Sequence, residues 1–203
     1  SIDAYIRRTS DLLFNYQVPI PPNTFATTLA NVGEMENRGI EVIIGGTPVS
    51  TGDFEWRTTV LYSGNSNKLL SLFNEKYQST RDWFYPDDKA TGEPIQAPTH
   101  RVKVGEPIGQ IWGWKAIDIT SDGKWIYESK DGHPISQAQA GDADRQLLGN
   151  GLPKYYLGFN NEVRYKMFDL AITMRGAFDY QIVNFSRMFY ENPRDRLLNK
   201  LVS

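Results

Sequence analysis

The sequence predicts an all-β protein built from antiparallel strands. Residues 168–180 place an apolar face opposite a face that carries charge, and residues 54–62 alternate in the same way except at Thr58 and Leu61. Each of these stretches follows another alternating segment across a short turn. A period of two places successive side chains on opposite faces of a strand, and a short turn joins antiparallel neighbours. The exception is the end of the chain, where Leu197, Leu198 and Leu201 have the spacing of a short C-terminal helical segment.

The first third of the chain predicts three strands. Residues 2–7 alternate and predict a short strand, whereas the prolines of residues 9–38 predict a loop. A strand follows at residues 39–47, a turn at 48–53, and a strand at 54–62 that ends before an Asn-rich run.

The middle of the chain predicts long connections. Residues 68–104 are polar and contain several prolines, residues 105–119 read as extended, and residues 125–127 form a short strand between Asp-Gly turns. A second long loop is predicted for residues 133–154. Loops longer than about 15 residues are uncommon in compact domains and usually have a function.

The clearest element is a hairpin of residues 157–165 and 168–180, joined by a turn at Lys166–Met167. Its second strand carries an apolar face with aromatic side chains at both ends, made by Phe168, Leu170, Ile172, Met174, Phe178 and Tyr180. An outer-membrane β-barrel has this pattern, with lipid on the apolar side and aromatic girdles at both interfaces. One sheet of a soluble sandwich has it as well. The alternation by itself leaves both folds open.

Composition excludes several classes of function. The chain has 203 residues and a net charge of -2, so it has no basic surplus with which to bind nucleic acid. No apolar run approaches the length of a transmembrane helix. The absence of cysteine excludes disulfides and cysteine-based metal sites. Both ends read as cut from something longer, so we expect the sequence to be part of a larger protein.

Motifs for catalysis are missing. His100 and His133 have no metal-ligand partner at a suitable spacing, and neither a G-x-S-x-G elbow nor a glycine-rich nucleotide loop occurs. No carboxylate pair stands out for glycoside hydrolysis. We therefore expect no catalytic residues and no cofactor.

Two acidic turns are the candidates for calcium. Asp118 and Asp122 surround one turn, and Asp142 and Asp144 lie in another. Oxygen-rich loops can hold calcium, but neither turn has the ligand number of a twelve-residue calcium loop. Asp is also common at turns because its side chain bonds nearby backbone, so we expect no metal site.

Four tryptophans are the candidates for binding a substrate, namely Trp83, Trp112, Trp114 and Trp125. Flat aromatic faces stack well on sugars and on apolar side chains. The alternative is that these rings pack the loops together or lie at a membrane interface.

Several blocks of sequence resemble one family. Residues 31–41, NVGEMENRGIE, are similar to the N-x-G-x-x-x-N-[KR]-G-[IVF]-E signature of the SusC/RagA-type TonB-linked outer-membrane proteins. Residues 105–114, GEPIGQIWGW, resemble the family's G-x-P-[IVL]-G-x-[IFY]-[YW]-G-[YFW] block. Residues 148–154, LGNGLPK, resemble the stretch before a descending strand, and residues 165–170 resemble a short periplasmic turn.

This resemblance implies that residues 1–203 are part of the C-terminal half of a TonB-dependent receptor β-barrel domain in the cell outer membrane. The plug domain, the TonB box and the closing strand would be absent. The whole barrel would have roughly 22 strands and a plugged lumen. The apolar strand faces would contact outer-membrane lipid, and the long loops would be extracellular.

The resemblance also implies a function, the import of oligosaccharides or peptides. TonB, reached through the missing N-terminal region, would supply the energy, and a SusD-like surface lipoprotein would cap the barrel. No enzymatic activity is expected. The alternative function is a soluble β-sandwich carbohydrate-binding module, which would bury Phe168, Leu170, Ile172 and Met174 in a dry core.

Overall fold

The structure, a computed structural model, describes residues 1–18, 20–73, 82–86 and 98–191. The chain divides into two compact units. The first comprises residues 1–82, 104–107 and 153–180, and the second comprises 83–103, 108–152 and 181–203. Within the described ranges, the structure contains no helix with the length and apolar character needed to cross a membrane.

Twelve strands and one α-helix follow one another in the described part of the chain. They are β1 (Ile2–Gln17), β2 (Thr27–Ser50), β3 (Phe54–Ser71), β4 (Trp83–Phe84), β5 (His100–Lys103), β6 (Gln110–Gly113), β7 (Ala116–Ile119), β8 (Trp125–Glu128), β9 (Pro134–Ser136), β10 (Gln146–Asn150), β11 (Tyr155–Tyr165), β12 (Phe168–Phe178) and α1 (Phe185–Tyr190).

The first unit is an open antiparallel sheet in the order β1-β2-β3-β11-β12. Its register aligns apolar side chains across the strands, as in the row Ile44, Val60, Phe159 and Met174. The apolar face of β12 is exposed: Phe168 is 72%, Leu170 57%, Ile172 44% and Met174 53% accessible. These four side chains do not lie in a dry core, so the soluble sandwich is wrong and the partial barrel is confirmed.

Aromatic rings mark both ends of this apolar face. Tyr155 stacks between Tyr62 and Phe178 at one end, with ring centroids 6.2 Å and 5.3 Å apart. Phe54, Tyr165 and Phe168 share a register row beside the turns at the other end. The 11 residues of β12 cover about 33 Å, which a tilt of about 40° reduces to about 25 Å, the height of a barrel's apolar band.

The hairpin of β11 and β12 confirms the strongest sequence prediction. It lies within one or two residues of the expected bounds, and its turn is at Lys166–Met167, where Lys166 has a φ of 54°. The amide of Lys166 donates to the carbonyl of Asp53 at 2.8 Å. The turn between β11 and β12 therefore lies beside the turn between β2 and β3.

The loop predicted for residues 9–38 is wrong. Strand β1 runs to Gln17 and β2 begins at Thr27, while β3 continues to Ser71 through the Asn-rich run that was expected to end it. These extensions lie past the apolar band, where the contrast between the two faces is lost. They are held by backbone pairing and by a small core of Ala30, Val32, Leu69 and Leu72.

The second unit contains two small sheets. One has the order β10-β6-β5-β4 and the other the order β7-β8-β9. Strands β4 and β5 fall inside the first long loop that the sequence predicted, and β9, β10 and a 3-10 turn at Asp142–Asp144 fall inside the second, so those two predictions are wrong. The prediction of residues 105–119 as continuously extended gives way to β6 and β7, with a break between them.

The helix in this unit, α1, begins after Asn184, whose side chain accepts a hydrogen bond from the amide of Arg187 at 2.8 Å. An Asn in this position satisfies one of the free amides of the first turn. The sequence pattern of residues 184–190 predicts neither a helix nor a strand. The predicted helical segment at residues 193–201 lies outside the described residues.

Candidate functional site: the insertion between β3 and β11

A long insertion interrupts two neighbouring strands of the first unit. Strands β3 and β11 pair from Phe54–Tyr165 to Gly64–Tyr155, yet residues 72–154 separate them in sequence. The two short turns of the sheet, at residues 51–53 and 166–167, lie at its opposite end. The chain therefore leaves β3 and returns to β11 at the same end of the sheet, the end opposite the two short turns.

Among the described residues of the second unit, Arg145 is the most buried charged residue, with 6% of its surface exposed. Its guanidinium carbon lies 5.0 Å from the ring centroid of Tyr85 and 5.1 Å from that of Trp114. Its Nη2 donates to the carbonyl of Pro98 and, at 3.3 Å, to that of Trp112. Among the described residues, Nε has no hydrogen-bond partner. Arg145 thus joins four segments through ring faces and carbonyls, which offset the cost of burying its charge.

A second arginine covers the ring of Trp112. The guanidinium carbon of Arg101 lies 3.5 Å from the Trp112 centroid, a close cation–π contact. Arg101 also donates from Nε and Nη2 to Oε1 of Gln110, at 3.4 Å and 3.2 Å. Gln110 is 3% exposed, so the amide that orients the guanidinium is fixed in the interior.

Trp83 and Trp114 belong to the same group of side chains. The Trp83 ring tilts against Tyr85 with centroids 5.0 Å apart, and Trp114 Nε1 donates to the carbonyl of Gly141 at 2.8 Å. Three of the four predicted tryptophans, Trp83, Trp112 and Trp114, are therefore connected through Arg101 and Arg145. All three are partly accessible.

Trp125 is separate from this group, on the small sheet β7-β8-β9. Ile119 lies opposite Trp125 in the strand register. Ile119 is 50% exposed and Trp125 is 47% exposed. The surrounding charges are paired locally, Lys115 with Glu128 at 2.7 Å and Lys124 with Asp122 at 2.6 Å. This sheet consequently presents an exposed apolar surface.

The structure places Asp118 on β7, Asp122 in the turn between β7 and β8, and Asp142 and Asp144 in a 3-10 turn. Three of these residues have local partners. Asp118 Oδ1 accepts from the amide of Ile119, and the Lys124 ammonium and the Thr120 hydroxyl lower the pKa of Asp122. The amides of Gly141 and Lys130 donate to Asp144 at 3.0 Å and 3.1 Å and lower its pKa. The described residues contain no group of three His, Cys, Asp or Glu that could hold a metal ion.

The two arginines and Gln110 are the residues that sequence reasoning missed. No local pattern marked them, because an arginine in a polar stretch reads as a solvated charge. The one available signal was the proximity of Gln110 to the two tryptophans of the GEPIGQIWGW block.

The first unit contributes a second surface, the polar face of its sheet. Close to the short turns it carries a hollow of about 320 Å³, whose lining includes the charged residues Glu55, Arg57, Glu162, Arg164 and Asp169. Farther along the strands lies a hollow of about 520 Å³ whose lining includes Glu41, Leu61, Tyr156 and Arg175. Glu162, Arg164, Asp169 and Arg175 thus lie on the face opposite the apolar one.

An open antiparallel sheet with an exposed apolar band, aromatic rings at both edges and a polar opposite face is a wall segment of an outer-membrane β-barrel. The family model described as "TonB dependent receptor-like, beta-barrel" matches residues 1–183. The chain therefore belongs to the TonB-dependent receptor family and is part of an outer-membrane protein.

Relatives in two organisms agree with this assignment. TonB-dependent receptor P3 of Formosa agariphila is 28% identical over 202 residues, which cover 92% of this chain and 19% of the relative. TonB-dependent receptor SusC of Bacteroides thetaiotaomicron is 24% identical over 181 residues, 87% of this chain and 17% of the relative. The chain thus spans about a fifth of the length of the relatives that it matches.

Solved structures share the fold. A structure of the RagAB peptide importer in the closed-closed state superimposes with a TM-score of 0.74 at 18% identity, over 94% of this chain and 20% of that one. A structure of the RagAB peptide transporter gives a TM-score of 0.75 at 19% identity, with the same coverage. The resemblance to SusC/RagA-type proteins is confirmed.

Proposed function

We propose that this chain is part of an importer that carries oligosaccharides or peptides across the outer membrane. TonB energises the import through a part of the protein that precedes this segment, and a SusD-like surface lipoprotein closes the barrel from outside. Membership of the TonB-dependent receptor family supports this proposal, as does the similarity to SusC and to the RagAB peptide importer. The chain carries no catalytic role in this account.

The observation that carries the proposal is the insertion of residues 72–154, with its linked arginines and tryptophans. Outer-membrane barrels have short periplasmic turns and long extracellular loops. The turns at 51–53 and 166–167 are short and lie at one end of the sheet. The insertion starts and ends at the other end of the sheet, where barrels of this class carry their long extracellular loops, and this supports assigning it to the extracellular side.

The chemistry of this surface suits both substrate classes. Partly exposed tryptophan faces stack on the apolar faces of sugars or on apolar side chains. Guanidinium groups bind carboxylates, and Arg101 is half-buried beside Trp112. We therefore assign Trp83, Trp112, Trp114 and Trp125 to the substrate-facing surface.

The test is a Trp112→Ala, Trp114→Ala double variant of the intact transporter. Loss of two stacking faces, each worth about 0.5–1.5 kcal/mol, should raise the half-saturating concentration for uptake roughly 5- to 150-fold. The probes are fluorescently labelled casein peptides and labelled linear oligosaccharides, and surface labelling measures the amount of receptor in the outer membrane.

Phe168→Leu is the matched control, because it shortens an exposed apolar side chain on the lipid face of β12. It should leave uptake unchanged. Uptake by the double variant that equals wild type at equal surface level would remove these two tryptophans from the substrate site.

A further inference from the structure

Three segments of the second unit meet at Asn150. Its Nδ2 donates to the carbonyl of Ile108 at 2.9 Å, and its Oδ1 accepts from the amide of Leu152 at 2.7 Å. The next amide, that of Gly151, donates to the carbonyl of Gly109 at 2.9 Å. The Asn150 side chain and the Gly151 amide therefore connect the end of β10 to Ile108 and Gly109, which precede β6.

Gln181 closes the same group from the segment after β12. The backbone amide of Gln181 donates to the backbone carbonyl of Asn150 at 2.8 Å. The side-chain Oε1 of Gln181 accepts from the backbone amide of Asn150 at 2.7 Å. The backbone of Asn150 is thus bonded through both its N–H and its carbonyl to one residue. A Cβ at position 149 would overlap the Gln181 side chain, so this approach requires Gly149. We call Ile108–Gly109, Gly149–Leu152 and Gln181 the clasp.

The clasp is connected to the ring of Trp112 by a short series of contacts. Asn150 lies opposite Gln110 in the ladder between β10 and β6. Gln110 accepts from Arg101, and Arg101 covers Trp112. Strand β10 is an edge strand of five residues, and its register shifts between Leu147 and Gly149. The end of a short, irregular edge strand opens easily. The bonds from Gln181 hold the end of β10 closed, and Asn150 of β10 in turn holds Gln110 of β6 in place.

We infer that Gln181 and Asn150 are positioning residues that fix the Arg101–Trp112 stack. They do so by holding the end of β10 against β6. The inference rests on the proposed function, because it assigns these contacts a role in the substrate-facing surface. The clasp connects the GEPIGQIWGW and LGNGLPK blocks, because Asn150 and Gly151 donate to the carbonyls of Ile108 and Gly109.

The first test compares two replacements of Gln181 in the intact transporter. Gln181→Glu retains an oxygen that can accept from the Asn150 amide, whereas Gln181→Met has a similar length and no such acceptor. Met should raise the half-saturating concentration of the labelled probe about fivefold, with an unchanged maximal rate at equal surface level. Glu should restore the wild-type value. Equal values for Met and wild type would overturn the inference.

The second test uses the overlap between positions 149 and 181. Gly149→Ala displaces the Gln181 side chain, so it should weaken uptake as Gln181→Ala does. In the Gln181→Ala background the space is free, and Gly149→Ala should add nothing further. Additive effects of the two changes would contradict a shared clasp.

The third test reads the geometry without transport. The chain has no cysteine, so Leu147→Cys in a cysteine-free transporter accepts one spin label at a 52% exposed position opposite Trp112. Gln181→Met should increase the mobility of the label, and Gln181→Glu should not. Unchanged mobility in the Met variant refutes the clasp. Increased mobility, combined with normal uptake by the Trp112→Ala, Trp114→Ala variant, supports the clasp and refutes the proposed substrate surface instead.

Discussion

Gly39 shows how a single residue of the family signature acts. It pairs with Tyr5 on β1 and with Asn65 on β3, and the Tyr5 ring lies over its Cα. Asn65 Nδ2 donates to the hydroxyl of Tyr5 at 3.0 Å and fixes the ring there. Glycine at this position lets an aromatic ring cross the strand, so the Asn-Arg-Gly signature reflects packing between β1, β2 and β3.

A Gly39→Ala variant of the intact receptor tests this packing. The added methyl group overlaps the Tyr5 ring, so the free energy of unfolding should fall by about 1–3 kcal/mol. Thermal unfolding in detergent, followed by the mobility shift on gels, measures the change. Gly46→Ala is the control in the same strand, since its Cβ meets nothing within 4 Å. Equal loss in both variants would show that the Tyr5 contact is unimportant.

At the same scale, the sequence predicted the aromatic residues of the site but not what connects them. Trp83, Trp112, Trp114 and Trp125 were named from their chemistry, and whether they bind substrate stays a prediction. The grouping of Trp83, Trp112 and Trp114 depends on Arg101 and Arg145, and the Arg145 partners Tyr85, Pro98 and Trp114 lie 31 to 60 positions away. Contacts over such separations leave no local periodicity, so a single sequence does not reveal them.

At the scale of the elements, alternation of apolar and polar residues predicts a strand only where the two faces of that strand lie in different environments. Strand β12 satisfies this condition along its whole length. In the part of β2 before Gly39, charged residues take the positions that are apolar farther along the strand. Glu36 is 3% exposed there, and its carboxylate lies 2.8 Å from Arg8 and 2.5 Å from Arg38. Ion pairs there replace the apolar pattern, so nothing in the sequence offsets the prolines of residues 9–38, which predict a loop.

The 3-10 turn Asp142–Asp144 gives a prediction of pH dependence. The amides of Gly141 and Lys130 stabilise the Asp144 carboxylate and lower its pKa below the ordinary value of about 3.9. The unfolded turn therefore binds a proton more readily than the folded one. The stabilisation is complete above the ordinary pKa and is lost as the pH falls through the lowered pKa of the folded state.

Trp114 reports on this turn, because its Nε1 donates to the carbonyl of Gly141. Acrylamide quenching of tryptophan fluorescence should increase below about pH 4 in the wild type. The Asp144→Asn variant should lose that transition and show higher quenching at neutral pH. A transition of unchanged size in Asp144→Asn would assign it to another group.

For the whole molecule, the central feature is a sheet with one apolar face and one polar face. The register predicted from the hairpin is correct, and it places the exposed side chains of Phe168, Leu170, Ile172 and Met174 on one face. Such an apolar surface is a liability for aggregation in water, whereas lipid covers it in a barrel. The two-sided character was predictable from sequence. The choice between sandwich and barrel required the structure and the family.

The most direct measurement is the accessibility of spin labels placed one at a time along β12, from position 168 to 178, in the intact receptor in a bilayer. Collision of the labels with oxygen should alternate along β12 with a period of two residues. Labels at 168, 170, 172, 174 and 178 should collide with oxygen dissolved in lipid, and labels at 169, 171, 173, 175 and 177 should not. Accessibility to oxygen without alternation, or with the opposite phase, would contradict the assignment of the apolar face to the membrane.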